Sequence, residues 1–140
     1  MAGLILYLYQ EYNYRNFLFT VNTNSVLMKT KDNLVNKNSD KYLYQDKIEI
    51  DGKQISIVEV ERFPRIQQEN TIYIKLSSVQ KVSDDLFVLK ENTMGLSDYE
   101  RQPVVILADE AHHYSASTKS EKEAENTWES AINKILNVRN

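Results

Sequence analysis

The chain has 140 residues, enough for one domain with its own hydrophobic core, and its 41% apolar and 26% charged content excludes a disordered or fibrous polypeptide. Its 17 basic and 20 acidic residues give a formal charge of −3, which excludes the broad positive field of an autonomous nucleic-acid-binding domain and leaves room only for local contacts. Cysteine is absent, so disulfides and thiolate metal sites are excluded, and a reducing, cytoplasmic setting fits.

The first apolar run, Met1 to Tyr9, lacks a basic flank and a small-residue cleavage site, and it is too short to span a bilayer. It reads as a buried helix over 2–11, ended by the polar run 12–16. Phe17-Leu18-Phe19-Thr20-Val21 has the composition of a parallel strand buried on both faces. Asn22-Thr23-Asn24-Ser25 then supplies N-cap chemistry for a helix through Val26, Leu27 and Leu34.

Between 48 and 60, Ile48 and Ile50 alternate with polar residues, Asp51-Gly52 forms a turn, and Ile55, Ile57 and Val58 resume. The pattern predicts a β-hairpin, read as an insertion between polar surface connections at 36–46 and 62–70. Thr71-Ile72-Tyr73-Ile74-Lys75-Leu76 is a further strand, followed by Ser77, Ser78 and Gln80. The stretch 82–102 has too weak a periodicity for an assignment. Pro103 opens the clearest buried strand, Val104-Val105-Ile106-Leu107. Trp128, Ala131, Ile132, Ile135 and Leu136 then recur at helical spacing, predicting an amphipathic helix from about residue 121.

Strands alternating with helices imply a mainly parallel α/β sheet with flanking helices, whose ligands bind beyond the carboxyl ends of the strands. Residues after Val21, Leu76 and Leu107 then share one working edge. On it, the strand 104–107 leads through Ala108 to adjacent carboxylates, Asp109 and Glu110, followed by Ala111 and His112. Nucleotide hydrolysis needs a metal ion to neutralise phosphate charge and a group to orient or deprotonate water, and two consecutive strand-end carboxylates can divide those tasks.

Asp109-Glu110-Ala111-His112 resembles the Walker B signature of DEAD/DEAH-type helicases and translocases. The stretch 103–114, with Asn126-Thr127-Trp128-Glu129 after a polar loop, is similar to the ATPase part of Res subunits of type III restriction enzymes. Gly3-Leu4-Ile5-Leu6 resembles the helix after that family's phosphate-binding loop, 17–30 its motif Ia region, and Ser77-Ser78-Val79-Gln80 its Thr/Ser-Gln DNA-contacting motif. The resemblance implies a partial RecA-like (P-loop NTPase) fold, with 1–140 forming part of the first helicase ATPase domain. It implies ATP and Mg²⁺ as cofactors, Asp109 holding Mg²⁺ through water, Glu110 activating the nucleophilic water, and His112 coupling nucleotide state to DNA. Thr23, Ser25, Ser78 and Gln80 fall beside the DNA backbone in the same comparison. The implied partners are DNA, the remainder of the helicase core and a methyltransferase (modification) subunit, in the cytoplasm and without a membrane.

The chain departs from that pattern: Gly3, Gly52 and Gly95 do not make a G-x-x-x-x-G-K-[ST] loop, so Walker A is missing, as are the Ser/Thr-Ala-Thr motif and the second lobe. An internal piece of a longer translocase fits these absences. A non-catalytic interaction or structural protein retaining half of an ATPase fold is the alternative. Other readings stay beside the main one: a solvated acidic turn for Asp109-Glu110, a metal site with one of them for His112-His113, and a core role rather than base stacking for Trp128. Lys29 and Lys31 fit either a solvated helix face or phosphate contacts.

Overall fold

The computed structural model describes residues 1–21, 23–87, 94–108 and 129–138. Helix α1 (Ala2–Tyr12) leads into strand β1 (Asn16–Val21) and helix α2 (Asn24–Leu34). Strands β2 (Ile48–Ile50), β3 (Lys53–Glu59) and β4 (Thr71–Ser78) follow, then α3 (Val79–Phe87), α4 (Leu96–Arg101) and β5 (Val104–Ala108). Residues 129–138 are helical. The strands form one five-stranded sheet in the order β2-β3-β4-β1-β5. β1 runs parallel to both β4 and β5, and β3 runs parallel to β4, so the sheet is the mainly parallel one expected of a partial RecA-like fold.

Every residue of β1 is buried, because helices cover both faces of the sheet there. Phe17, Phe19 and Val21 pack with Ile5 of α1, Leu34 of α2 and Ile72 and Ile74 of β4. Leu18 turns to the opposite face and meets Tyr73, Val82, Leu86, Tyr99, Ala131 and Ile135. The period-2 alternation of the strands thus separates two cores: α1, α2 and the hairpin on one side, α3, α4 and residues 129–138 on the other.

Local chemistry sets the boundaries. Helix α1 ends at Asn13, whose left-handed conformation (φ 56°) a short amide side chain tolerates, and the Asn13 N–H donates to the Tyr9 carbonyl at 2.9 Å. Asp51 and Gly52 both take positive φ (52° and 76°), the pairing a two-residue hairpin turn requires.

Three expectations are modified. The hairpin is integral to the sheet: β2 pairs antiparallel with β3, and β3 itself adds in parallel to β4 through Ile57↔Ile72. Helix α1 buries only Ile5 fully, leaving Leu4, Tyr7 and Tyr12 exposed, because one stripe faces the sheet and the other faces outward. β5 is half-buried apart from Leu107, because among the described residues β1 is its only strand neighbour.

The unassigned stretch 82–102 holds α4 and most of α3. In the predicted C-terminal helix, Ala131 and Ile135 are buried and Leu136 is half exposed; residues 121–128, with Trp128, lie outside the described residues.

Candidate functional site

The carboxyl ends of three parallel strands meet at one edge. Thr20 of β1 pairs with Ala108 of β5, and Val21 pairs with Ser78 of β4, so β5 ends at that edge one residue before Asp109. Asp109, Glu110, His112 and His113 themselves lie outside the described residues. Fully buried Thr20 directs its hydroxyl toward the Leu107 carbonyl at 3.5 Å, linking the ends of β1 and β5.

Two helices begin at the same edge. Thr23 caps α2 with its hydroxyl oxygen, which accepts the Val26 N–H at 3.3 Å. Ser25 lies exposed in the first turn of that helix. β4 passes into α3 without an intervening loop, and the Ser78 hydroxyl accepts the Lys81 N–H at 3.2 Å. Gln80 is exposed and donates its amide to Asp84 at 2.9 Å. Both helix starts turn the positive end of a helix dipole toward this edge, an arrangement that favours phosphate oxygens. The sheet therefore gathers Thr23, Ser25, Ser78 and Gln80 at the edge where β5 ends.

Beneath α3 lies a layer of buried charge. Lys75 of β4 is 2% exposed and donates from Nζ to the Glu61 carbonyl at 2.6 Å. Burial pushes its ammonium below the usual lysine range, while Asp85 and Glu61 oppose that shift and Lys81 adds to it. Asp85 of α3 is also buried and meets Lys81 at 3.7 Å. On α4, the buried Asp98 carboxylate accepts from Nε and Nη2 of Arg62 at 3.0 and 2.8 Å, and from the Gly95 N–H at 3.0 Å. Tyr99 beside it is buried, and burial together with Asp85 and Asp98 holds its phenol well above the ordinary value.

Sequence reading missed this layer. Lys75 interrupts the strand Thr71–Ser78 as an outward-facing residue would, and only the placement of α3 and α4 over it buries it.

Among the described residues no group of three or more histidines, cysteines or carboxylates is placed to hold a metal ion. A groove of about 390 Å³ lined by Leu8, Tyr14, Pro103, Val104 and Val105 opens beside the amino end of β5, away from the edge described here.

Residues 1–139 match the family model described as Type III restriction enzyme, res subunit. Over 133 residues the chain is 40% identical to a probable type III restriction-modification enzyme HindVIP Res subunit of Haemophilus influenzae, covering 95% of this chain and 25% of that protein. The chain thus spans about a quarter of the length of the curated relative it matches. No solved structure matches it.

Proposed function

The chain belongs to the family of type III restriction enzyme Res subunits, and on that premise we propose that it forms part of the ATP-hydrolysing core of a DNA translocase. The observation that carries this reading is the convergence at one sheet edge of the β5 terminus, which leads into Asp109-Glu110, with the starts of α2 and α3. Hydrolysis and phosphate-backbone contact need those groups within reach of one another.

Paired carboxylates are hard oxygen donors of the kind Mg²⁺ takes, and the bound ion would neutralise phosphate charge. Asp109 would hold the ion in this reading. In the longer protein Glu110 would orient the attacking water and accept its proton on a carboxylate oxygen. His112 relays nucleotide state to the DNA-contacting side chains Thr23, Ser25, Ser78 and Gln80.

For ATP the fit is incomplete. The 140 residues contain no phosphate-cradling glycine loop, so no hydrolytic step is assigned to this stretch alone. The same absence favours the second reading, a non-catalytic interaction module. A phosphate-binding loop encoded in frame upstream argues for the translocase.

The partners in the main reading are duplex DNA, the remainder of the helicase core and a methyltransferase (modification) subunit, in the cytoplasm. No helix among the described residues is long and apolar enough to cross a membrane.

Equilibrium binding of duplex DNA to the longer protein tests the edge. Ser25→Ala and Gln80→Ala are each expected to weaken binding by about fivefold, equally across unrelated sequences, since each removes one backbone hydrogen bond. Unchanged affinity in both variants would remove the DNA part of the reading.

A further inference from the structure

The connection between β3 and β4 is irregular, yet it is held almost residue by residue. At its start Arg62 reaches Asp98 on α4 at 2.8 Å, and Phe63 is buried in the second core. The Pro64 carbonyl accepts the Gln102 side-chain N–H at 2.7 Å. Farther on, the Gln67 amide donates to Asn16 Oδ1 and to Gln102 Oε1, each at 2.8 Å, and the Gln68 N–H donates to the Tyr73 hydroxyl at 2.8 Å. Asn16 is 1% exposed, so the anchor is a buried amide cluster at the amino end of the sheet.

Arg65 and Ile66 stand outside this set of contacts. Among the described residues Arg65 forms no ion pair and Ile66 packs into neither core; both are exposed, Ile66 at 90%. The other exposed large apolar side chains among the described residues lie between 39% and 61%, so each of them rests partly on the chain's own surface, and Ile66 does not.

A single exposed isoleucine on a frayed loop would need no explanation. On this loop it does. A crossover between parallel strands has to be anchored, but that task calls for no large apolar side chain at the tip, where loops ordinarily carry small or polar residues. A loop already ordered by its own anchors loses little conformational freedom when it docks. An aliphatic group beside a guanidinium on such a support suits a small interface, in which the apolar group fills a socket and the cation pairs at its rim.

Charge and size select the partner. Glu61 and Glu69 balance Arg62 and Arg65 in the same connection, which leaves a polyanionic backbone without attraction but leaves a single carboxylate the Arg65 guanidinium. A stable complex of separate proteins buries about 1,200–2,000 Å² in all, far more than a tip of two side chains supplies. A socket in the same polypeptide needs much less area, because the tether holds it at an effective concentration of about millimolar. The chain covers 25% of the length of the Haemophilus influenzae relative, so most of such a polypeptide lies outside these residues.

We propose that Ile66 and Arg65 form a docking knob that seats in an apolar socket, rimmed by a carboxylate, on a part of the longer protein outside residues 1–140. The inference goes beyond the reading given under Proposed function and shares with it only the premise of a longer polypeptide. The amide cluster of Asn16, Gln67 and Gln102 holds the knob ready in its docked position.

Hydrogen exchange of the longer protein, read peptide by peptide by mass spectrometry, tests it. Ile66→Asp is expected to leave exchange in β1 and β4 unchanged and to speed it by at least about fivefold in one group of peptides outside residues 1–140. Ile66→Val keeps an apolar filling and should stay within about twofold of wild type there. Arg65→Glu should speed the same peptides. Photo-cross-linking of Ile66→p-benzoylphenylalanine in the longer protein should join position 66 to those peptides within one polypeptide.

An Ile66→Asp variant with wild-type exchange outside residues 1–140 overturns the proposal. Faster exchange in β1 and β4 also overturns it, because Ile66 would then belong to the packing of this fold. So does an Arg65→Glu variant without effect, which removes the carboxylate, or a cross-link to a second copy or a separate protein, which makes the occupant another molecule. None of these outcomes touches ATP turnover, so the translocase reading stands or falls separately.

Discussion

The Arg62–Asp98 pair is asymmetrically buried, and the asymmetry decides which substitution does more harm. The Asp98 side chain is 5% exposed and that of Arg62 is 39% exposed. Removing the carboxylate leaves a guanidinium that water can reach, so Asp98→Asn is expected to destabilise by only about 1 kcal/mol, the value of a screened, partly exposed pair. The amide oxygen can still accept the Gly95 N–H. Asp98→Ala loses that bond as well, for a total of about 2 kcal/mol. Arg62→Ala strands a carboxylate that cannot rehydrate, and an uncompensated buried charge puts its effect near 3 kcal/mol.

The double variant Arg62→Ala with Asp98→Asn has no stranded charge. It is expected to be more stable than Arg62→Ala alone, by about 1 kcal/mol or more. Urea unfolding of wild type and the four variants, followed by far-UV circular dichroism and analysed at constant slope, measures these differences. If Arg62→Ala is no more harmful than Asp98→Asn, or if the double variant is worse than either single one, the contribution assigned to burial is wrong.

Lys75 has a lowered folded-state pKa through burial, so the unfolded chain binds the extra proton between that value and 10.5. Its contribution to stability is full above 10.5 and is lost as pH falls through the window. The stability of wild type relative to Lys75→Met should therefore rise as pH approaches 10.5 from below, with Asp85, Glu61, Lys81 and Asp98 as the charges acting on it; a difference independent of pH contradicts this. Thr23→Ala should destabilise by about 1 kcal/mol through loss of the α2 cap, with Thr23→Ser close to wild type in thermal melts. An unaffected alanine variant would dismiss the cap. The 140-residue chain alone should bind ATP·Mg²⁺ very weakly, for want of a phosphate cradle, and micromolar affinity in calorimetric titration would argue against that.

Much of the sheet was legible because its strands obey simple patterns. Phe17 to Val21 is apolar but for Thr20 and is buried on both faces. Asp51-Gly52 between alternating isoleucines announced the hairpin, and Thr23 announced the start of α2. Helix α3 was hidden because its apolar positions, Val79, Val82 and Leu86, straddle the boundary between the Ser77-Ser78-Val79-Gln80 motif and the unassigned stretch, and because Ser83 and Asp85 share its buried face. The composition of Val104 to Leu107 says that it is apolar but not how many strands flank it, so its half-buried position came only from the sheet order. The shared edge was legible from strand polarity, whereas the charges beneath α3 depend on contacts between distant segments: Arg62 meets Asp98 across 36 residues of sequence.

Glu110→Gln in the longer protein tests the central claim most directly, with ATP turnover measured with and without duplex DNA beside nucleotide and DNA binding, and with Asp109→Asn and His112→Ala for comparison. The amide keeps the shape of the side chain but cannot accept the proton of the attacking water. Turnover should therefore nearly vanish while both ligands still bind. Asp109→Asn should in addition weaken Mg²⁺-dependent nucleotide binding, and His112→Ala should lose more of the DNA stimulation than of the basal rate. Near wild-type DNA-stimulated turnover in Glu110→Gln would contradict the assignment of the acidic pair as the catalytic centre.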